Sequence, residues 1–246
     1  MKNKKIKKQN GNANGSVKDK TIVFKIKKPK QLYLKRELKK CDFGVAIFGS
    51  ARVQMNKKVY RTVFDLAKRI GMHGYDLITG GGPGLMEAAS AGHNEGDKMR
   101  RADLIGLTIK LPFEQSVNQY LELRKDFTTF SARLEHFMAL SNVLVVAEGG
   151  IGTMLELFFS WQLLQVHHIE FKPIILVGTM WEKLIAWMKK YMLKEGLVGE
   201  KDFQYIFLVK DSKEAIKIIN KYHRQYVKSG KCNFIPQMHG QTKKPR

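Results

Sequence analysis

Three short segments of this 246-residue chain have the glycine content and neighbours that phosphate chemistry uses. They are Phe48-Gly49-Ser50-Ala51-Arg52, Thr79-Gly80-Gly81-Gly82-Pro83-Gly84-Leu85-Met86-Glu87 and Glu148-Gly149-Gly150-Ile151-Gly152-Thr153-Met154-Leu155-Glu156. Each follows an apolar run and precedes an amphipathic one. Glycine lets the backbone approach a ligand closely and adopt positive φ. The free N–H groups of a following helix then favour an anion at the same place. One such turn could be a tight connection and nothing more. Two of them on one edge of a sheet are harder to explain that way. Neither long loop has the Gly-Lys-Ser/Thr of a P-loop or the Gly-x-Gly-x-x-Gly of a dinucleotide site, so a mononucleotide is the better guest than NAD.

The elements that must position these loops can be read from apolar spacing. Strands are expected over Phe43–Phe48, Tyr75–Thr79, Leu104–Leu111, Glu122–Phe127, Asn142–Ala147, Ile174–Val177 and Tyr205–Val209. Helical spacing covers Val59–Ile70, a segment opened by Pro83, Thr129–Leu140, Ile151–Val166, Trp181–Lys194 and Ser212–Val227. Leu32–Lys40 suits a short amphipathic helix, and Thr21–Lys27 a short strand or an extended stretch. Short, continuously apolar strands alternating with helices imply an α/β fold. The expected form is a Rossmann-like, doubly wound parallel sheet sandwiched between helices. In such sheets ligands bind beyond the carboxyl ends of the strands, where all three glycine segments fall.

Charge is distributed unevenly. Of the net +22, residues 1–40 carry +13 and residues 228–246 carry +5, which leaves +4 for the long middle. We therefore expect residues 1–31 to be a basic, largely disordered extension, 32–227 a single domain, and 228–246 a basic tail. Nucleic acid is a conceivable partner only through these tails. No apolar run is long enough for a membrane span and no signal-peptide pattern opens the chain, so a soluble, cytoplasmic protein is expected. Two cysteines, Cys41 and Cys232, are too few for a disulfide framework or a four-thiolate zinc site. His167, His168 and Glu170 lack a further ligand at a useful spacing, so no metal is expected.

Gly80-Gly81-Gly82-Pro83-Gly84-Leu85-Met86-Glu87-Ala88-Ala89, followed by Gly149-Gly150-Ile151-Gly152-Thr153 and Glu156, resembles the LOG (LONELY GUY) family. Its members are nucleoside 5′-monophosphate phosphoribohydrolases, many of them long labelled lysine decarboxylases. Arg133 precedes Gly149 by the sixteen residues that separate the family's catalytic arginine from its second motif. Ile47–Arg52, Leu111–Gln115 with Asn118, and Trp161–Gln165 are also similar. The chain departs from the family pattern at Leu134 (usually Lys), Glu148 (usually Pro) and Leu155 (often an acid).

The resemblance implies an enzyme that splits AMP or a cytokinin-type nucleotide into free base and ribose 5-phosphate, without metal or organic cofactor. It implies Arg133 and Glu156 as catalytic residues. The nucleotide would lie against Gly49, Ser50, Gly81, Gly82, Met86, Glu87, Gly149, Gly150, Ile151, Gly152 and Thr153. It also implies a homodimer or higher oligomer, for which the apolar face of Trp161, Leu164 and Val166 with Phe158 and Phe159 is available. The alternative is a catalytically altered nucleotide-binding or cofactor-carrier protein of the same fold. A pyridoxal-dependent decarboxylase is not expected, because no lysine has a Schiff-base context.

Overall fold

Aliphatic runs that are buried on both faces build the centre of the molecule. The computed structural model describes residues 29–112 and 116–230. In chain order its elements are β1 (Lys30–Gln31), α1 (Leu34–Lys40), β2 (Gly44–Phe48), α2 (Lys58–Met72), β3 (Asp76–Thr79), α3 (Leu85–Gly96), β4 (Leu104–Ile109), β5 (Leu123–Phe127), α4 (Phe130–Leu140), β6 (Val143–Ala147), α5 (Ile151–Gln165), β7 (Ile174–Val177), α6 (Met180–Met188), β8 (Ile206–Val209) and α7 (Ser212–Ser229). The strands form one parallel sheet in the order β1-β5-β4-β3-β2-β6-β7-β8. The chain winds outward from β2 in one direction and from β6 in the other. The reversal between these adjacent strands is the topological switch point, where a crevice opens.

Alternation along the two central strands divides the core. Val45 and Ile47 of β2, with Val143 and Val145 of β6, face a layer containing Val63, Leu66 and Ile70 of α2, Leu85 of α3 and Ile216 of α7. Ala46, Phe48, Leu144 and Val146 face the opposite layer, with Phe137 of α4, Leu157 and Trp161 of α5 and Trp181 of α6. Each fully buried aliphatic side chain contributes roughly 1.5–3 kcal/mol. This is the expected Rossmann-like architecture.

Several details differ from the sequence reading. The sheet takes in Lys30 and Gln31, which that reading placed in the basic extension. Backbone pairing (Lys30 N–H to Glu122 O and Leu32 N–H to Arg124 O, both 2.8 Å) and the burial of Leu32 hold this strand; its own side chains are exposed and carry no apolar signal. The helix expected from Pro83 starts at Leu85, because Gly84 is held at φ 68° against the Ser50 carbonyl. The helix expected to reach Lys194 is α-helical to Met188 and continues as a single π-helical turn over Lys189–Leu193. The extended stretch expected at Thr21–Lys27, and most of both tails, lie outside the described residues. Among the described residues no helix is long and apolar enough to cross a membrane.

At the amino ends of the strands, the carboxylates of Asp42, Asp76 and Asp103 come within 4.8 Å of one another. Asp76 accepts the Asp103 N–H at 2.7 Å and is 9% exposed. Lys40 bridges Asp103 and Glu37. Burial pushes the Asp76 carboxyl up to about 7, and the Asp103 and Asp42 charges add to it; the Asp103 N–H and Lys40 oppose the rise. A carboxyl raised on folding contributes stability that is complete below its unfolded value, near 4, and is lost as pH rises through about 7. Asp76→Asn should therefore lose less stability than wild type between pH 4.5 and pH 8 in denaturant melts. Parallel pH profiles for the two proteins would contradict this assignment.

Candidate functional site

The loops leaving β2, β3, β4 and β6 enclose a cleft of about 940 Å³ at the carboxyl edge of the sheet. Eleven of the residues expected there line it. Gly49 and Ser50 come from β2, Gly81, Gly82 and Met86 from the β3–α3 segment, and Gly150, Ile151, Gly152 and Thr153 from the start of α5. Arg133 of α4 and Glu156 of α5 complete the set. Two expected residues do not line the cleft. Glu87 stands apart from it, and its charge joins burial in raising the Tyr60 phenol of α2. Gly149 lies beneath the Thr153 side chain: a Cβ there would meet Thr153 Oγ1 at 2.1 Å. Gly149 thus makes room for Thr153 and does not touch the cavity.

The start of α5 has the properties of an anion cradle. Gly150 is its N-cap residue and offers no side-chain cap. The first bond back to the loop is Met154 N–H to Gly150 O at 2.9 Å, and helix geometry leaves the preceding N–H groups without intrahelical acceptors. A Cβ at Gly150 or Gly152 would meet nothing within 4 Å, so the space above this turn is open. The helix dipole adds partial positive charge there. Glu148 does not oppose it: its side chain lies over Gly178, within 2.6 Å of where a Cβ would stand on that residue.

Arg133 and Glu156 meet at 3.4 Å (Nη2 to Oε1) with their side chains only 10% and 11% exposed. The Arg133 Nε donates to the Leu107 carbonyl at 2.8 Å, and the guanidinium stands 5.3 Å over the Phe137 ring. Gly80 is small of necessity, because a Cβ would come within 2.5 Å of Arg133 Nη2 and 2.6 Å of Met86 Sδ. Burial pushes the Glu156 carboxyl well above the usual carboxylate range, against the pull of Arg133. Burial also lowers the Arg133 guanidinium, with Glu156 opposing. The guanidinium stays charged, while the carboxyl is poised to take up a proton near neutral pH.

The surrounding loops are tied to one another. The Ser50 carbonyl accepts the Leu85 N–H at 2.9 Å, and the Ser50 N–H donates to the Glu148 carbonyl at 3.2 Å. This strap joins the loops after β2, β3 and β6. Asn118 fixes the triple-glycine segment: its N–H donates to Gly81 O at 2.9 Å and its Nδ2 to Gly82 O and Ser90 Oγ, each at 3.2 Å. Asn118 is part of the motif resemblance, although its role as a loop anchor was not evident from the sequence. Thr108, Arg124 and Asp126 also line the cleft and were not anticipated. No short motif marks them, because it is the pairing of β4 with β5 that brings them together. Leu134, which stands where the family usually has Lys, is buried at 3% exposure.

The apolar face of α5 is only partly as expected. Trp161 and Leu164 belong to the core, with the Trp161 indole N–H donating to Asp202 O at 2.7 Å. Phe158 and Val166 remain exposed, and Ile151 and Leu155 join them.

A family model described as "Possible lysine decarboxylase" matches residues 86–219. No curated protein matches the chain. Among solved structures, the chain is similar to the Moco carrier protein from Chlamydomonas reinhardtii: 23% identity over 75% of this chain and 99% of that one, TM-score 0.55. It is also similar to the molybdenum cofactor binding protein from the phototrophic bacterium Rippkaea orientalis, with 18% identity over 73% and 96% of the two chains and a TM-score of 0.54. At these identities the likeness bears on the fold alone.

If Asn118 anchors the glycine segment, Asn118→Ala should cost about 1–3 kcal/mol, because buried groups on Gly82 and Ser90 lose their partner. A urea titration should show a lower midpoint with an unchanged slope. An unaltered midpoint would remove Asn118 from this role.

Proposed function

This chain belongs to the LOG family, for which "possible lysine decarboxylase" is the older description, and we propose that it hydrolyses the N-glycosidic bond of a purine nucleoside 5′-monophosphate. The observation that carries the proposal is the buried Arg133–Glu156 pair beside the open first turn of α5. The 5′-phosphate would sit on the N–H groups of Ile151, Gly152 and Thr153. Glu156 lies one helical turn further on, at about the reach of the attached ribose.

In this mechanism the C1′–N bond breaks and its electron pair leaves with the base. Positive charge develops on the ribose, as in other glycoside cleavages. The Glu156 carboxylate stabilises that charge and accepts a proton from the attacking water, whose oxygen bonds to C1′. The base takes up a proton from solvent as it departs, and Glu156 returns the water's proton to solvent to close the cycle. Arg133 supplies a fixed fork of donors to the ribose hydroxyls or the phosphate, and its charge keeps part of the Glu156 population ionised despite burial. A site enclosed in this way also strengthens each of these interactions.

A second reading retains the cleft without the turnover: a carrier of a nucleotide-like cofactor. It draws on the naming of two structural neighbours as a Moco carrier and a molybdenum cofactor binding protein. A homodimer accompanies the first reading, and the exposed Ile151, Leu155 and Phe158 on α5 supply a surface for it.

Incubation with AMP and with its N6-isopentenyl derivative should release free base and ribose 5-phosphate. Glu156→Gln should reduce kcat by about 10²–10⁴. Because burial raises the Glu156 carboxyl and the mechanism needs it ionised, kcat/KM should fall as pH drops through a value above the usual carboxylate range. Nucleotide binding with no base released at any pH would favour the carrier.

A further inference from the structure

The cleft contains a second polar unit that the Arg133–Glu156 pair does not use. Thr108 of β4 and Asp126 of β5 are partners in the parallel ladder, and Arg124 lies two residues back on the same strand face. All three residues line the cleft. The Thr108 hydroxyl donates to Asp126 Oδ1. Arg124 donates to that same oxygen through Nε at 2.8 Å and Nη2 at 2.6 Å. Oδ2 takes none of these bonds, and the Asp126 side chain is 40% exposed.

The unit is therefore built to hold one carboxylate oxygen and offer the other. Burial works to raise this carboxyl, but Thr108, Arg124 and Lys110 outweigh it and hold it below its ordinary value. Near neutral pH Asp126 is an acceptor only. A ligand group that meets Oδ2 must donate.

Position limits which part of a ligand that is. The Gly80–Gly82 segment separates the two centres. A Cβ on Gly80 would touch Arg133 Nη2 at 2.5 Å, and one on Gly81 would touch Thr108 Cγ2 at 2.8 Å. Consecutive Cα atoms are about 3.8 Å apart, so these contacts keep Asp126 within roughly 10 Å of the Arg133 guanidinium, on the far side of the glycine segment. A ribose held at Glu156 would carry its base across this segment and bring the far edge of the ring to Asp126.

We infer that Asp126, positioned by Thr108 and Arg124, is a specificity residue that accepts a hydrogen bond from an exocyclic amino group of the base and disfavours a keto oxygen at the same place. The inference rests on the nucleotide reading of the cleft but not on turnover.

Calorimetric titration of the full chain with AMP and with IMP tests it, because the two differ in amino against keto at that ring position. Wild type should bind AMP at least tenfold more tightly, as expected for a hydrogen bond to a charged acceptor. Asp126→Asn can turn its amide N–H₂ toward a keto group, so the AMP-to-IMP ratio should fall to near one or below. Asp126→Ala should weaken AMP and, by removing the acceptor that opposes a keto oxygen, tighten IMP, so that the AMP-to-IMP ratio falls to near one, with both variants checked by thermal melting. Equal affinities in wild type, or a wild-type ratio retained in Asp126→Asn, would overturn the inference. Preferential AMP binding that shifts with Asp126 but yields no free base would uphold it and reject the hydrolase. Binding of neither nucleotide would overturn both.

Discussion

A largely buried ion pair on the wall of the cleft, Arg133 with Glu156, is the constraint around which the carboxyl edge of the sheet is arranged. Two buried charges are tolerated only when each is paired and the remaining polar atoms are satisfied. Arg133 is paired with Glu156, its Nε donates to the Leu107 carbonyl, and its guanidinium stands over the face of Phe137. Each partner fixes a different element: α5, β4 and α4. The absence of a side chain at Gly80 is part of the same arrangement, since any Cβ would drive into the guanidinium. The geometry of the site follows largely from keeping this one pair closed.

The doubly wound topology explains why the pair lies beside the open first turn of α5. β2 and β6 are adjacent but lead into helices on opposite faces, so their loops part and leave the crevice open. The α5 turn delivers backbone N–H groups to one wall. Glu156 follows one turn later on the same helix, and α4 brings Arg133 from the other side. The strap from Ser50 to Leu85 and Glu148, with the Asn118 contacts, holds the loops in register. In the proposed chemistry a phosphate anchors the substrate while its ribose meets a carboxylate that burial has made a better base. One geometry serves both parts.

The parts legible in the sequence depend on local spacing. Continuous apolar strands, helical periodicity and glycine clusters indicated the fold and the crevice at its carboxyl edge, and motif resemblance singled out Arg133 and Glu156, which the structure brings together there. The missed parts depend on how separate strands and faces align. Glu87 sits in the motif, yet it is not among the residues that line the cleft. Gly149 is needed for packing against Thr153, a distinction a motif does not record. Glu148 carries a charge whose direction only the neighbouring β7 loop decides. Thr108 and Asp126 meet through the β4–β5 register across eighteen residues of sequence. Trp161 lies on the apolar face offered to an oligomer, yet it is buried in the core with its indole N–H on the Asp202 carbonyl.

The measurement that bears most directly on this account is a crystal structure of the chain with ribose 5-phosphate. The phosphate oxygens are expected on the N–H groups of Ile151, Gly152 and Thr153. The anomeric carbon is expected beside Glu156, with Arg133 still paired. A phosphate held elsewhere in the cleft, or a sugar lying away from Glu156, would contradict it.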